Sequence, residues 1–416
     1  MIFVGDDWAK GHHDIHVEDA DGNKLARCRF SESVEGVTQF HELVARHATE
    51  PSDVVIGIET DHGLFVEALV AGGYQVYGIN PLSASRYRDR HGLSGAKSDS
   101  ADAKLLADIV RTDRHNHRKI ADNSDDVNAI KVLERSHQNL IWARQANTNV
   151  LGASLKEYYQ GALEAFGEDL SSSDALFVLK AAPTPSAGKK LSITQIEAAL
   201  RRGGRKRNVV SRAKEIQAHL RKDHLQAAPV LAKAFGSSVV ATVGLLTTYN
   251  TQIKVLEAEL AANFDVHPDS EIIRSLPGPG PILGARVLGE FGDDPNRYHD
   301  AKARKNYAST SPITKASGKS KVVLARFTKN RRLADACDQW AFCSTNNSSG
   351  ARALYDAHRA KKESHHQALR VVANRLVGIL HGCLKHGTCY DEAVAWPVPA
   401  STQQPVQTPK KQAAAA

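Results

Sequence analysis

Four acidic residues have the types and spacing needed to hold a divalent cation. Asp7 ends a short apolar segment near the N-terminus, and Glu59 ends a second one. Asp99 and Asp102 are three residues apart at the start of a helical pattern, so they share one face of that helix. Carboxylate oxygens suit Mg²⁺ or Mn²⁺, and two such ions about 3.5–4 Å apart can clamp the attacking and leaving oxygens of a phosphodiester.

Each of these acids alone also has an ordinary structural explanation. An Asp at the end of a strand is usually a turn residue, and Asp99 could simply cap its helix. All four in matching topological positions are far more specific than any one of them. Asp6 competes with Asp7, but successive strand residues point to opposite faces, so only one can face the cluster. We expect that residue to be Asp7.

A proline- and glycine-rich turn is the second feature with a chemical interpretation. It runs from Ser275 to Ala285 and opens a helix that ends near Gly292. Such a turn resembles the hairpin of helix-hairpin-helix motifs, in which glycines, here Gly278 and Gly280, let backbone amides approach a phosphate. The alternative is an ordinary tight turn with Pro281 at the first helical position.

A basic segment around a pair of glycines is a further candidate for phosphate contact. Its charged residues are Arg201, Arg202, Arg205, Lys206 and Arg207. The segment is either a solvated basic loop or a phosphate-gripping one, because like charges this dense gain most beside a polyanion.

The segment from Tyr307 to Ser320 contains several hydroxyl side chains. Ser317-Gly318 is predicted to be a turn, and a serine in a turn is usually structural. To act as a nucleophile, a serine needs a nearby base, metal or cation. Three lysines offer charge for a phosphate without singling out one serine: Lys315, Lys319 and Lys321.

The elements that must position the four acids form an α/β pattern. Three alternating segments predict antiparallel strands, and helix, strand, helix, strand and helix follow. This order matches the ribonuclease-H-like fold, in which the first and fourth strands are neighbours. Asp7 and Glu59 would then meet at one edge of the sheet. The expected segments are 2–9, 13–19, 25–30, 34–47, 54–59, 64–71, 74–79 and 101–110.

Two long amphipathic helices are predicted beyond this region, near 127–166 and 238–264. They favour an antiparallel hairpin or an oligomerising coiled coil. Between them, 183–190 is predicted to be a loop. The Pro-, Gln-, Thr- and Ala-rich tail is predicted to be disordered. The expected domains are 1–118, an α/β domain; 119–265, a helical region with a basic insertion; 266–396, a mainly α domain; and 397–416, the tail.

Composition narrows the class of protein. Lys and Arg number 54 against 46 Asp and Glu, and the resulting excess of positive charge is compatible with a polyanionic partner. The five cysteines are scattered without C-x-x-C spacing, which argues against a zinc site or a disulfide framework. No apolar run approaches the roughly 20 residues needed to cross a bilayer, and the N-terminus meets its acids too early for a signal peptide, so we expect a soluble cytoplasmic protein.

Together, these features resemble one family, the insertion-sequence transposases with an N-terminal RuvC-like domain of DEDD type and a C-terminal serine-bearing domain. Members are described as bridge-RNA-guided recombinases. The resemblance covers most of residues 1–396. The matching motifs are Val4-Gly-Asp-Asp7-Trp-Ala-Lys10, Ile58-Glu59, Lys97-Ser-Asp99-Ser-Ala-Asp102-Ala, Leu276-Pro-Gly-Pro-Gly-Pro281, Tyr307-Ala, Pro312, Ser317-Gly-Lys, and the stretches 374–381 and 390–392.

The resemblance implies a function and roles for individual residues. Asp7, Glu59, Asp99 and Asp102 would bind metal, and Ser317 would attack a DNA phosphate to leave a covalent 5′-phosphoserine and a free 3′-hydroxyl. It also implies a guide RNA, donor and target DNA, and a dimer or tetramer in which one subunit's carboxylates meet another's serine. The protein would work in the bacterial cytoplasm, in association with the nucleoid.

The chain departs from the family pattern after Tyr307-Ala308. The family usually continues with Gly-Leu, whereas this chain has Ser309-Thr310. Ser309, Ser311 and Ser320 are therefore rivals of Ser317 for the role of nucleophile. Two alternatives remain open at this point: a metal-dependent junction nuclease that uses water, with Ser317 structural, and a non-catalytic nucleic-acid-binding protein.

Overall fold

The structure is a computed structural model that describes residues 1–91, 98–327 and 329–397. Lys97 and the tail predicted to be disordered, from Val398 onward, lie outside the described residues. The chain divides into two compact units. The first comprises Met1–Ser124 and Asp294–His299, and the second Asp125–Asp293 with the described residues from Asp300 onward.

The first unit is built on a six-stranded mixed sheet. Its strands are β1 Ile2–Ala9, β2 His12–Glu18, β3 Lys24–Ser31, β4 Val54–Ile58, β5 Gln75–Gly78 and β6 Arg118–Lys119. They lie in the order β3-β2-β1-β4-β5-β6, with β1, β4 and β5 parallel and the other pairs antiparallel. The helices are α1 Val34–Ala45, α2 Leu64–Ala71, α3 Pro81–His91 and α4 Asp99–Thr112.

Alternation along β1 distributes its side chains between two cores. Ile2 and Val4 pack in a cluster with Phe40 of α1 and Phe65 of α2. Phe3 packs on the opposite face, in a cluster that includes residues of α4. Helices therefore cover both faces of the central strands, which explains why β4 and the first half of β1 are continuously apolar.

The mixed α/β architecture expected from the sequence is confirmed, and two elements were missed. α3 is polar, so it lacks the apolar period of an amphipathic helix. β6 has only two residues, too few for alternation to be recognised. The alternative role of Asp99 as a helix cap is excluded, because Ser98 is the N-cap of α4 and accepts a hydrogen bond from the backbone N–H of Ala101.

The second unit is mainly helical. Its helices are α5 Asp125–Tyr158, α6 Gln160–Phe166, α7 Ser173–Ala181, α8 Pro185–Lys190, α9 Ile193–Arg202, α10 Val209–Arg221, α11 Pro229–Val266, α12 Ser270–Ser275, α13 Pro281–Phe291, α14 Ala301–Tyr307, α15 Arg331–Asn347, α16 Ser349–Ala360, α17 His365–His386 and α18 Glu392–Ala395. The strands β7 Ile313–Ser317 and β8 Ser320–Leu324 form a separate hairpin.

The two long helices, α5 and α11, pack against each other in antiparallel directions. Arg144 donates to Asn250 at 3.1 Å, and His137 lies 3.4 Å from Glu257, so the numbering rises on one helix as it falls on the other. The antiparallel hairpin is confirmed. The first expected helix is interrupted, however, because Tyr159 leaves helical geometry between α5 and α6.

The predicted loop over 183–190 is wrong. Thr184 accepts a hydrogen bond from the backbone N–H of Ala187 and caps α8, with Pro185 in its first turn. A Thr-Pro pair is a start signal for a helix as well as a mark of a loop, and here the first applies. Helices α7, α9 and α10 bury apolar residues in one core together with residues of α5, α6 and α11, so the insertion between α6 and α11 is folded.

Helix α11 is long and apolar enough to cross a membrane, with a mean hydropathy of 1.6 over one window, so the expectation that no apolar run approaches this length is wrong. A single helix of this kind does not distinguish a membrane span from a helix of a soluble protein. In this unit α11 packs along α5 and contributes Val239, Val243 and Leu246 to the core of the insertion.

Candidate metal centre

Two glycines let α4 lie directly on the central strands. A Cβ at Gly5 would come 1.8 Å from the carbonyl oxygen of Ala103, and one at Gly57 would come 2.7 Å from that of Leu106. Any larger residue at either position would push the helix off the sheet. Gly5 and Gly57 are also direct neighbours in the parallel pairing of β1 and β4.

This packing brings the four predicted acids to one end of the sheet. Asp7 lies two residues beyond Gly5 on the same face of β1, and Glu59 directly follows β4. Asp99 lies one helical turn before Ala103 in α4. Burial raises the pKa of Asp7 to about 6. Repulsion from four neighbouring carboxylates adds to this rise in pKa: those of Asp102, Asp99, Glu59 and Asp14.

Asp6 is separated from this cluster, as strand alternation requires. Its carboxylate is fully buried and accepts a hydrogen bond from Nδ1 of His13 at 2.9 Å. The ring of His13 stacks on Phe65 of α2, on the face opposite α4. Asp6 therefore has a structural partner of its own.

A fifth carboxylate, that of Asp14, lies at this cluster and was not predicted from the sequence. It lies directly opposite Asp7 in the antiparallel pairing of β1 and β2, so both side chains point to the face that α4 covers. Oxygen or nitrogen atoms of His12, Asp14 and Asp99 all lie within 4.8 Å of one another, a grouping able to hold a metal ion. Pairing register would have found Asp14, but it cannot be read from one strand alone.

Two arginines contribute positive charge to the cluster. Nη2 of Arg88 lies 2.5 Å from Oδ1 of Asp102. Arg29 binds Asp14 through two hydrogen bonds of 2.6 and 3.1 Å, and it reaches Asp99 at 3.4 Å. The acids outnumber these arginines, and the neighbouring carboxylates add to the rise in the pKa of Asp7 that burial causes. A set of hard oxygen donors with excess negative charge fits a divalent cation such as Mg²⁺ or Mn²⁺.

Ser317 lies at the tip of the β7–β8 hairpin and is exposed. Gly318 follows it with a φ of +55°, the conformation that favours glycine at the start of a two-residue hairpin turn. The predicted turn is confirmed. Lys319 is the second turn residue. Lys315 is on the same face as Ser317 by alternation, whereas Lys321 pairs with Ala316 on the opposite face.

The rival serines occupy different environments. Ser309 is buried and follows α14 with a φ of +60°. Its N–H donates to the carbonyl of Asn306, and that of Thr310 donates to Lys305, the pattern of a Schellman helix end. Ser311 accepts a hydrogen bond from Asn374 at 3.4 Å. Only Ser320, opposite Ser317 in the hairpin, is comparably exposed.

The proline- and glycine-rich turn leads into α13 as expected, with Pro281 as its first residue. Gly278 has a φ of +99°, and a Cβ there would lie 2.8 Å from the backbone nitrogen of Ser344. Close packing on α15 therefore explains Gly278 without a phosphate. Gly280 is exposed, and its missing Cβ would meet no atom within 4 Å.

One charged residue of the basic segment forms an ion pair within the second unit, and the others are exposed. Arg201 and Arg202 end α9, and Nε of Arg205 lies 2.6 Å from Asp174 at the start of α7. Lys206 and Arg207 are exposed between α9 and α10. Four of the five predicted contacts thus remain on the surface, and Arg205 has a structural partner.

Two segments of the chain match known protein families. Residues 4–160 match a family described as Transposase, of the IS110 DEDD type. Residues 270–356 match the family described as Transposase IS116/IS110/IS902.

Some curated relatives are similar to this chain over nearly its whole length, and one is similar over about half of it. The chain is 41% identical to the mini-circle transposase for IS117 of Streptomyces coelicolor, over 95% of this chain and 96% of the relative. It is 31% identical to the transposase y4uE of Sinorhizobium fredii, over 48% of this chain and 56% of that relative. It is 27% identical to the 43.6 kDa protein of insertion element IS110 of Streptomyces coelicolor, over 94% and 95%. Full-length similarity at this level shows that the chain belongs to the IS110/IS116 family of transposases, enzymes that recombine DNA.

Proposed function

We propose that the acids near the end of β1, directly after β4 and in the first turn of α4 bind divalent metal and that this site cleaves DNA during transposition. The observation that carries the proposal is the convergence of Asp7, Glu59, Asp99 and Asp102, with Asp14 as a fifth carboxylate. Bound metal would supply charge stabilisation for the pentavalent phosphorus and lower the pKa of an attacking hydroxyl. The carboxylates hold that charge in place.

The order of elements supports a RuvC-like fold for the first unit. Its sheet has three antiparallel strands, then β4 and β5 parallel to β1, and the short antiparallel strand β6 at the edge, with helices on both faces. This is the arrangement that the ribonuclease-H-like expectation requires. The domain boundaries at 118 and 265 remain part of the proposal.

Ser317 is the proposed nucleophile. Its Oγ attacks the phosphorus and loses its proton, an Oγ–P bond forms, and the bond from phosphorus to the 3′ oxygen breaks. The 3′ oxygen takes up a proton, which leaves a 5′-phosphoserine and a 3′-hydroxyl. Exposure at a hairpin tip supports the assignment, because a serine there can enter a site on another molecule. Lys315 on the same face can pair with a phosphate oxygen.

The partners follow from this mechanism and from the family resemblance. Donor and target DNA are the substrates, a guide RNA selects them, and a dimer or tetramer brings one subunit's serine to another's carboxylates. Phosphate contacts from the exposed basic residues at 201–207, from Gly280 and from the hairpin lysines would hold the nucleic acid. We expect this reaction in the bacterial cytoplasm, at the nucleoid.

A nuclease that uses water is the second candidate. Asp7 has a pKa near 6, so as a carboxylate at neutral pH it can accept a proton from water. In that case Ser317 is structural and no covalent intermediate forms.

A covalent-adduct assay separates the two candidates. Protein purified with its bound RNA is incubated with Mg²⁺ and DNA that carries its own gene and flanks, then denatured. We expect an adduct that Ser317→Ala abolishes and Ser320→Ala retains. An adduct that persists in Ser317→Ala contradicts the choice of serine, and free DNA ends without any adduct favour the nuclease.

A further inference from the structure

The second unit contains a cavity that the proposed cleavage chemistry does not use. Its volume is about 460 Å³, within the range of small-molecule and cofactor sites. Trp142 of α5 forms one wall, the end of α14 at Ser309 another, and α15 and α17 the rest. The cavity is thus large enough for one nucleotide.

The walls of this cavity carry excess positive charge. Among the described residues, Lys329, Arg331 and Arg370 have no ion-pair or side-chain hydrogen-bond partner. The two acids of the cavity are already engaged. Asp335 accepts from Arg286 at 2.7 Å, and Asp338 lies 3.4 Å from His366. Three cations around one cavity that have no partner in the described part of the chain favour an anionic ligand.

An aromatic ring is held beside these cations. Trp142 is 41% exposed, and the guanidinium of Arg332 lies 5.0 Å from its ring centroid. Arg332 is itself fixed, because it donates to Asn139 at 2.7 Å and to the carbonyl of Arg135 at 3.3 Å. The ring therefore has a preset orientation and need not be ordered on binding, which reduces the entropic cost for a ligand that stacks on it.

We propose that this cavity binds one unstacked nucleotide of a single-stranded nucleic acid. Trp142 stacks on the base, while Lys329, Arg331 and Arg370 hold the adjoining phosphates. A basic surface beside an aromatic platform is the combination that recognises single strands, since every base has a π face. A duplex does not fit, because its bases are stacked on one another. The proposal rests on the proposed function only in that the chain handles nucleic acid, RNA or DNA.

Fluorescence anisotropy of the full-length protein tests the proposal. The probes are labelled oligo-dT and oligo-rU about 12 nucleotides long, within the site sizes of single-strand-binding folds, and a duplex of equal length. EDTA is present throughout, so binding is measured without metal-dependent cleavage. The variants are Trp142→Ala, Trp142→Phe and the double variant Arg331→Ala/Arg370→Ala. Lys233→Ala/Lys254→Ala on exposed positions of α11 removes the same charge elsewhere.

We expect Trp142→Ala to weaken binding of at least one single strand by about tenfold, in line with one lost stacking contact. Trp142→Phe retains most of the affinity, and duplex binding changes little. Arg331→Ala/Arg370→Ala lowers the salt dependence of log K by about 1.4, since each lost phosphate contact on a single strand accounts for about 0.7. The α11 control changes neither quantity. The dT and rU arms show whether DNA or RNA is the ligand.

Several results would overturn the proposal. They are unchanged single-strand binding in Trp142→Ala, an equal loss for single strand and duplex, and no binding of either single strand by the wild type. Melting curves of both Trp142 variants exclude a folding defect. The proposed function fails by a different observation, the absence of Mg²⁺-dependent cleavage, which a binding assay in EDTA does not measure.

Discussion

Asp7 and Asp14 lie directly opposite each other on β1 and β2, so their side chains share the face of the sheet that α4 covers. Two carboxylates in this position repel each other, and burial next to Asp99 and Asp102 increases the cost. A protein retains such an arrangement against its own stability when the site has a use for the charge.

The raised pKa of Asp7 predicts how metal-free stability depends on pH. Asp7 titrates near pH 6 when folded, against an ordinary value of 3.8, so the folded state binds more protons between these values. Stability from this group is therefore present below pH 3.8 and lost as pH rises through 6. In EDTA near pH 8, we expect Asp7→Asn to raise the melting temperature by about 2–4 °C.

The pH series provides the control for that prediction. Near pH 4 the gain from Asp7→Asn should largely disappear, because the wild-type carboxyl is then protonated. Mg²⁺ should raise the melting temperature of the wild type more than that of the variant. A variant that melts below the wild type in EDTA near pH 8 contradicts the account of repulsion.

Asp14 should contribute to metal binding although the sequence did not reveal it. We expect Asp14→Asn to weaken Mn²⁺ binding by about ten- to a hundredfold, the loss typical of residues that hold or orient a metal ligand. Asp21→Asn, in the exposed turn between β2 and β3, makes the same chemical change away from the cluster. Titration followed by the Mn²⁺ paramagnetic signal measures both, and equal affinities would exclude Asp14 from the site.

Two lysines on opposite faces of the β7–β8 hairpin should affect the yield of covalent adduct differently. Lys315 shares the face of Ser317, whereas Lys321 does not. Lys315→Ala should therefore lower the yield of covalent adduct about tenfold, the cost of one charge-assisted hydrogen bond. Lys321→Ala removes the same charge and should leave the yield nearly unchanged. The reverse order of effects would place the reacting phosphate on the other face.

Ser309 occupies a position that favours glycine. It has a φ of +60° at the end of α14, within the left-handed region. We expect Ser309→Gly to raise stability by up to about 1 kcal/mol, because the left-handed conformation costs glycine little. Thermal melting measures this change, and adduct formation should persist. Loss of the adduct in a stable Ser309→Gly variant would make Ser309 a rival nucleophile again.

Local patterns in the sequence were sufficient to predict most of the strands and helices of the first unit. Alternation and apolar runs predict five of its strands, and the same alternation separates Asp6 from Asp7. Asp14 needed the pairing register of two strands, and the close approach of α4 needed the combined effect of Gly5 and Gly57. These are relations between segments, so periodicity within one segment cannot supply them.

In the second unit too, local sequence patterns do not reveal contacts between distant segments. Its long helices follow from their apolar period, but Thr184-Pro185 has the composition of both a loop and a helix start. Arg205 illustrates the problem for charge patterns, because its partner Asp174 lies 31 residues earlier in the chain. The cavity beside Trp142 is formed by segments that are distant in sequence, and no local motif marks it.

The most direct test of the metal centre compares adduct yield in Asp7→Asn with that in Asp21→Asn. Both variants are assayed with the bound RNA, the DNA that carries the gene and its flanks, and either Mg²⁺ or EDTA. We expect an adduct that requires Mg²⁺ in the wild type and in Asp21→Asn, and none in a folded Asp7→Asn protein. Wild-type yield from Asp7→Asn, or an adduct that forms equally well in EDTA, would contradict this expectation.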